Sequence, residues 1–331
     1  MLNKDNFYFQ TLTNSWKAVW QNKILWFFAL FSLFLGGGQW NSFLSANFSN
    51  FFKEDGIAYS LYQILFSENA LANFIDKVSQ EPIVFLILFL ILFLLAFVFI
   101  LFIYISVIFQ GGLIYSIFKI NLKQKINVHD SLSVVKNNFW QVLSLNIMMK
   151  FVIWGFSFLL AFFSLMSFLQ ESTGSVLIFS FSSVFIIIFL FLLSFIFRYA
   201  LSYIILKGRD SMSAIREAFK LFFNNWVINL EVAAFLFIIN YIFLFLSIWS
   251  IKIIMIPLSS MGTFSLYLSS GVSFGFYFVF IPILISLFIL TFFTVLSAYN
   301  YCVWVALFTR LTGNKKVSSL TRSIFLKIKR N

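Results

Sequence analysis

The sequence has one cysteine, Cys302, and one histidine, His129. A lone thiol excludes an intramolecular disulfide, and one Cys plus one His cannot build a structural zinc site, which takes about four such ligands. Catalytic signatures are missing as well. There is no GxSxG, no phosphate-binding GxxxxGK[ST], no HExxH and no CxxC, so the chain reads as a non-enzyme without cofactor. Gly36-Gly37-Gly38 lacks the Lys and hydroxyl that a phosphate cradle needs and reads as a site of close helix packing. Cys302 reads as a small buried apolar residue, and His129 as a surface residue beside Asp130.

Charge is scarce too. Only 10% of the 331 residues are Asp, Glu, Lys or Arg, against 61% hydrophobic residues and a mean hydropathy of +0.97. A soluble protein needs polar cover that this composition cannot supply, so the class is a polytopic membrane protein. The abundance of Phe, 51 residues, is as well explained by a codon bias as by aromatic packing.

A bilayer span takes about 20 apolar residues. Six segments qualify: residues 24–44, 82–109, 145–169, 176–206, 227–249 and 276–308. The first has the apolar length of a signal peptide, but a polar stretch precedes it and no A-x-A site follows, so an uncleaved span is expected. Basic residues beside the spans set the orientation. Of the 23 Lys and Arg, all but Lys53, Lys77 and Lys252 fall on one side, which is therefore cytoplasmic and holds both termini. The net charge of +12 thus points to anionic lipid headgroups on that side and not to nucleic acid. Residues 45–81 form an aromatic-rich extracytoplasmic loop, residues 250–275 a third outer loop of partly re-entrant character, and residues 309–331 a basic cytoplasmic tail of a single membrane domain, 1–331.

A four-residue pattern recurs at the basic side: Gln10–Thr13, Asp130–Ser133, Asp210–Ser213 and Ser318–Thr321. Such hydroxyl and carboxyl side chains suit helix starts. After the second and third copies, apolar residues fall at Leu132, Val135, Phe139, Val142 and at Met212, Ile215, Phe219, Phe222, the spacing of an amphipathic helix. Lys136, Arg216 and Lys220 lie off those stripes and are candidate headgroup contacts. The fold expected is all-α, with six spans in three parallel hairpin repeats, each introduced by a cytoplasmic amphipathic helix.

Charged groups inside spans are costly and mark function or bundle locking. Lys150, Arg198 and Glu231 all fall in the cytoplasmic half of their spans. At 1.5 Å per residue Arg198 lies about 13 Å from Lys207, and Glu231 about 9 Å from Asn225. An Arg198–Glu231 ion pair is expected, within a candidate polar cluster of Arg198, Glu231, Lys150 and Asn300, with Asn146 and Asn229 nearby. Gln110-Gly111-Gly112 reads as the end of the second span, with the glycines serving close backbone contact.

The stretch from Arg198-Tyr199-Ala200-Leu201 through Ile204-Ile205-Leu206-Lys207-Gly208, then Ser213-Ala214-Ile215-Arg216-Glu217-Ala218-Phe219-Lys220-Leu221 and Trp226, resembles the membrane-domain family fused to some bacterial glycerophosphodiester phosphodiesterases. Gly111-Gly112-Leu113-Ile114-Tyr115 is similar to the glycine-rich end of that family's earlier span. The resemblance implies a six-span protein of the bacterial inner membrane. Lys207 stands where the family pattern has an acidic residue and Ala218 where it has Ser, so a ligand bound through those positions would not be expected here. The phosphodiesterase chemistry belongs to a separate soluble barrel and does not follow. Two functions remain: a non-catalytic module that organises membrane or protein partners and interacts with lipids, or a transporter of a small or lipid-like solute through a polar cavity near Arg198 and Glu231.

Overall fold

A computed structural model describes residues 7–36, 82–170, 173–267 and 271–313. Among these residues the chain forms nine helices: α1 (Phe7–Gln21), α2 (Ile24–Gly36), α3 (Pro82–Asn121), α4 (Val128–Asn137), α5 (Phe139–Gln170), α6 (Thr173–Lys207), α7 (Ser211–Asn224), α8 (Trp226–Tyr267) and α9 (Gly271–Thr312). The order is one short helix followed by two apolar ones, three times over.

Five helical segments are long and apolar enough to cross a membrane: Phe89–Asn121, Phe139–Ser167, Val176–Lys207, Trp226–Ile253 and Ile283–Thr312. Tyr8–Gln21 and Ile24–Leu35, bent by 102° at their junction, make a sixth if the pair counts as one span. The chain is therefore a multi-pass membrane protein whose described residues are helical. The second span runs on past residue 109 through both glycines to Asn121, because no residue there breaks the backbone ladder. The third begins at Phe139, six residues earlier than hydropathy alone places it. Residues 250–267, expected as outer loop, continue α8 as helix; the run Ile251, Ile253, Ile254, Met255, Ile256 carries it on. Helix α9 likewise extends to Thr312, into the expected tail. The loop 45–81, the glycines at 37–38 and the fourth pattern at 318–321 lie outside the described residues.

Contacts divide the chain into two compact units, Met1–Leu30 with Ile108–Asn331, and Phe31–Val107. In the smaller unit, Phe34 meets Phe102 edge-on at 4.7 Å between ring centroids. Its α3 residues from Phe89 to Ile100 are apolar and exposed on every face that is described, as expected of a helix bathed in acyl chains.

In the larger unit the buried residues gather near the short helices. Helix α1 turns Tyr8, Thr11, Ser15 and Val19 inward on one seam, and Trp16 lies edge-on to Phe243 of α8 and Tyr299 of α9, each at 5.6 Å. Helix α4 buries Ser131 and Val135, with Ser131 bonded to Ser116 of α3 at 3.0 Å; α7 buries Ala214, Ala218 and Phe222. Each short helix ends at an asparagine whose side-chain amide donates to the carbonyl four residues back. These are Asn22 to Ala18 (2.9 Å), Asn138 to Val134 (3.0 Å) and Asn225 to Leu221 (3.1 Å). The amide satisfies a carbonyl that the interrupted ladder leaves open, so the chain can turn and start a new helix at once.

The helix starts differ from expectation in two of three cases. Asn127, not Asp130, caps α4 by accepting from the His129 N–H at 3.2 Å, and Asp130 instead pairs with Lys119 at 3.5 Å. Gln10–Thr13 falls within α1, past its start at Phe7. The stripe Leu132, Val135, Phe139, Val142 is correspondingly split between α4 and α5 by the break at Asn138.

Asp210 does cap α7, accepting from the Ser213 backbone N–H at 3.2 Å and from its hydroxyl. The Ser213 hydroxyl bond first, and its N–H second, hold the Asp210 carboxyl below the usual carboxylate range. A folded-state pKa below the unfolded one contributes stability that is present above the unfolded value and lost as pH falls through the folded one. Asp210→Ala is therefore expected to lower the melting temperature at pH 7. That deficit should shrink progressively as acid neutralises the wild-type carboxyl, whereas Asp210→Asn should keep the cap and lose the pH dependence. Melting curves of the three proteins between pH 7 and pH 3 check this.

Candidate functional site

Gln110 on α3 and Asn146 on α5 are both buried in the larger unit. The Asn146 side-chain amide donates to the Val142 carbonyl at 2.9 Å, which fixes which way the group faces, and it also donates to Gln110 Oε1 at 2.9 Å. Gln110 must then present its own amide on the other side, where Nε2 donates to Tyr301 Oη of α9 at 3.0 Å. Donation thus runs in one direction, from Asn146 through Gln110 to Tyr301.

Beside the end of this relay stands Arg198 of α6. Its guanidinium lies over the face of Trp304, with Cζ 5.0 Å from the ring centroid, a cation–π contact. The phenols of Tyr301 and Tyr199 are within electrostatic range of it. No carboxylate of the described residues comes within ion-pair distance of Arg198. The indole Nε1–H of Trp304 is buried and has no acceptor among the described residues. Tyr199 donates its hydroxyl proton to Asn229 Oδ1 of α8, and Asn229 Nδ2 reaches the Phe222 carbonyl of α7 at 3.3 Å, so one hydroxyl ties three helices together.

The four residues expected as one polar cluster are engaged separately. Glu231 accepts from the hydroxyl of Tyr8 on α1, and the expected ion pair with Arg198 is not formed. The cause is local: Trp304 offers Arg198 an aromatic face, and Tyr8 takes the carboxylate. Asn300 Nδ2 donates to Asn240 Oδ1 of α8 at 3.1 Å. Lys150 is half-exposed, one turn along α5 from Asn146. Lys136, Arg216 and Lys220 are exposed on α4 and α7. Asn146 joins Arg198's side of the bundle through Gln110, and Asn229 through Tyr199.

Gln110, Tyr301 and Trp304 escaped the sequence reading as functional residues, yet a signal for two of them was present. Gln110, Arg198 and Tyr301 each stand nine residues before a basic residue in the last turn of their helix, namely Lys119, Lys207 and Arg310. The same position of the third helix in each set of three therefore supplies one member of the centre. Among the described residues no group of three or more His, Cys, Asp or Glu side chains gathers where it could hold a metal ion. The centre offers hydrogen-bond donors and a fixed cation, which suits binding an electron-rich group. No protein-family model matches the chain, and neither a curated protein nor a solved structure is detectably similar to it.

Proposed function

We propose that this chain is a non-catalytic protein of the bacterial cytoplasmic membrane that organises anionic lipid at the cytoplasmic surface through α4 and α7. In this reading its six spans form three hairpins, each entered through a short interfacial helix, with both termini cytoplasmic.

The observation that carries the reading is the arrangement of faces on α7. At about 100° per residue, Ala214, Ala218 and Phe222 form the face that is buried in the bundle. Next around the helix come Met212, Phe219 and Phe223, which are apolar yet exposed, Met212 by 62% and Phe223 by 57%. Arg216 and Lys220 follow, also exposed. A bundle seam, then an uncovered apolar strip, then cations is the order that places a helix at the boundary of acyl chains and headgroups. Tryptophans support the same plane. Trp20, Trp140 and Trp226 are exposed beside the three asparagine junctions, Trp140 by 75%, as in an interfacial aromatic belt. Lys23, Lys119, Lys136, Lys207 and Arg310 sit near the same helix ends and favour the cytoplasmic assignment. A transport path through Arg198 and Glu231 is the weaker reading, since each residue is engaged by a different aromatic partner.

The test is the lipid shell of the protein in nanodiscs of mixed phosphatidylcholine and phosphatidylglycerol. Wild type is expected to enrich phosphatidylglycerol. The combined variant Lys136→Gln, Arg216→Gln, Lys220→Gln should lose that preference, by about five-fold per charge removed at full engagement. Equal enrichment in the two proteins would refute the reading.

A further inference from the structure

The relay ends at Tyr301 on a hydroxyl proton that has no acceptor among the described residues. Tyr301 already accepts from Gln110, so its own O–H proton must be given to something else. One turn along α9 from Tyr301 is Trp304, over whose face lies the Arg198 guanidinium, which is always charged, has five N–H donors and accepts nothing. Trp304 itself holds a second buried donor, Nε1–H, with no acceptor among the described residues. A buried donor left open costs about 1–3 kcal/mol, and a cation inside a span needs compensation. Gln110 cannot be reversed to help, because Asn146 is locked by the Val142 carbonyl and already uses Gln110 Oε1.

From this excess of donors around one cation that no carboxylate of the described residues neutralises, we propose that Arg198, Tyr301 and Trp304 form a binding site for a phosphate-type oxyanion. Arg198 supplies the charge and Tyr301 a directed hydroxyl proton, with Trp304 contributing the aromatic shelf and an N–H. Gln110 and Asn146 are positioning residues that aim the Tyr301 proton. The site lies about 13 Å from the end of α6 at Lys207 by helix rise, and it goes beyond the headgroup contacts of α4 and α7. Two sources have this chemistry, the phosphodiester of an anionic phospholipid and a free oxyanion such as inorganic phosphate.

Native mass spectrometry of the protein released from phosphatidylglycerol-containing nanodiscs tests the first source. One phosphatidylglycerol per chain should survive activation that strips the rest. Retention should fall by roughly ten-fold or more in Arg198→Gln, as expected for losing a charge-assisted contact. Tyr301→Phe and Trp304→Phe preserve most of the packing volume and the ring face, so they remain informative if Arg198→Gln does not fold. Each should weaken retention. In lipid-free detergent Tyr301→Phe should melt somewhat lower, because Gln110 Nε2 loses its acceptor, so its retention is compared at a temperature where both proteins are folded. The second source is tested in pure phosphatidylcholine nanodiscs by titrating inorganic phosphate at constant ionic strength. Thermal stabilisation present in wild type and absent in Tyr301→Phe and Arg198→Gln supports a free oxyanion. If neither a retained lipid nor phosphate protection depends on these three residues, the proposal is overturned and water fills the gap. Neutralising Lys136, Arg216 and Lys220 changes bulk lipid enrichment without removing this single ligand, so the two proposals fail separately.

Discussion

Replacing Gly111 by leucine is expected to prevent assembly of the larger unit, and even Gly111→Ala should be clearly destabilising. A Cβ at position 111 would lie 2.6 and 2.8 Å from the two methyls of Val135 and 2.9 Å from Ile205 Cδ1. Val135 and Ile205 are themselves buried, and the β-branched Val135 has almost no rotamer to retreat into within α4. Close packing of this kind is what small residues supply between membrane helices, where no difference in solvent drives helices together. Overpacking costs about 1–3 kcal/mol or more, which outweighs the roughly 1 kcal/mol that alanine gains over glycine in a helix. Gly112 is the internal control. Its nearest neighbour would be Leu132 Cδ2 at 3.4 Å, an ordinary contact, so Gly112→Ala should be neutral or slightly stabilising. Trimming Val135 to alanine should rescue most of the loss in Gly111→Ala, because it removes two of the three methyls that the new carbon strikes and leaves only the end of the Ile205 side chain to shift. Thermal melting of the four proteins in detergent measures this. Equal effects of the Gly111 and Gly112 substitutions would mean that α3 and α4 do not meet as described.

That contact also explains part of what the sequence could not convey. Hydropathy placed the ends of the second span at residue 109 because Gln110, Gly111 and Gly112 look like punctuation. In the fold the glycines are interior, and Gln110 is a buried link between two other helices. A helix surrounded by apolar neighbours has no informative period, so isolated polar residues in it carry no visible direction. The short helices were legible as elements but their faces were not. Reading α7 by its large apolar residues selects Met212, Ile215, Phe219 and Phe222, whereas the face buried in the bundle is Ala214, Ala218 and Phe222. At a membrane surface the bulky side chains can point to lipid and the small ones to the bundle, which reverses the usual reading of an amphipathic stripe. The Arg198–Glu231 pairing failed for a related reason. Axial distance along two helices was matched, but the angular position that turns Glu231 to Tyr8 and Arg198 to Trp304 is set by packing that no spacing rule encodes. The asparagines at 22, 138 and 225, by contrast, were readable in principle, since each precedes the aromatic or apolar start of a new helix.

Tyr199 should separate ring from hydroxyl. It is among the largest fully buried side chains, edge-on to Trp304 at 5.9 Å and tilted against Phe308 at 6.1 Å. Its hydroxyl reaches Asn229, which in turn holds the Phe222 carbonyl in the last turn of α7. Tyr199→Ala is expected to cost about 3–5 kcal/mol, the range for emptying an aromatic site. Tyr199→Phe keeps the ring and should cost less, about 1–3 kcal/mol, because Asn229 Oδ1 is left buried without its donor. The smaller cost of the phenylalanine variant should have a specific address. With Asn229 no longer held from α6, backbone amides in the last turn of α7 should exchange faster, while those of α9 around Trp304 stay protected. Hydrogen exchange on the two variants reads both at once. Should Tyr199→Phe destabilise as much as Tyr199→Ala, the hydroxyl link from α6 to α8 would be the determinant of the fold, and the aromatic packing around Trp304 would be secondary.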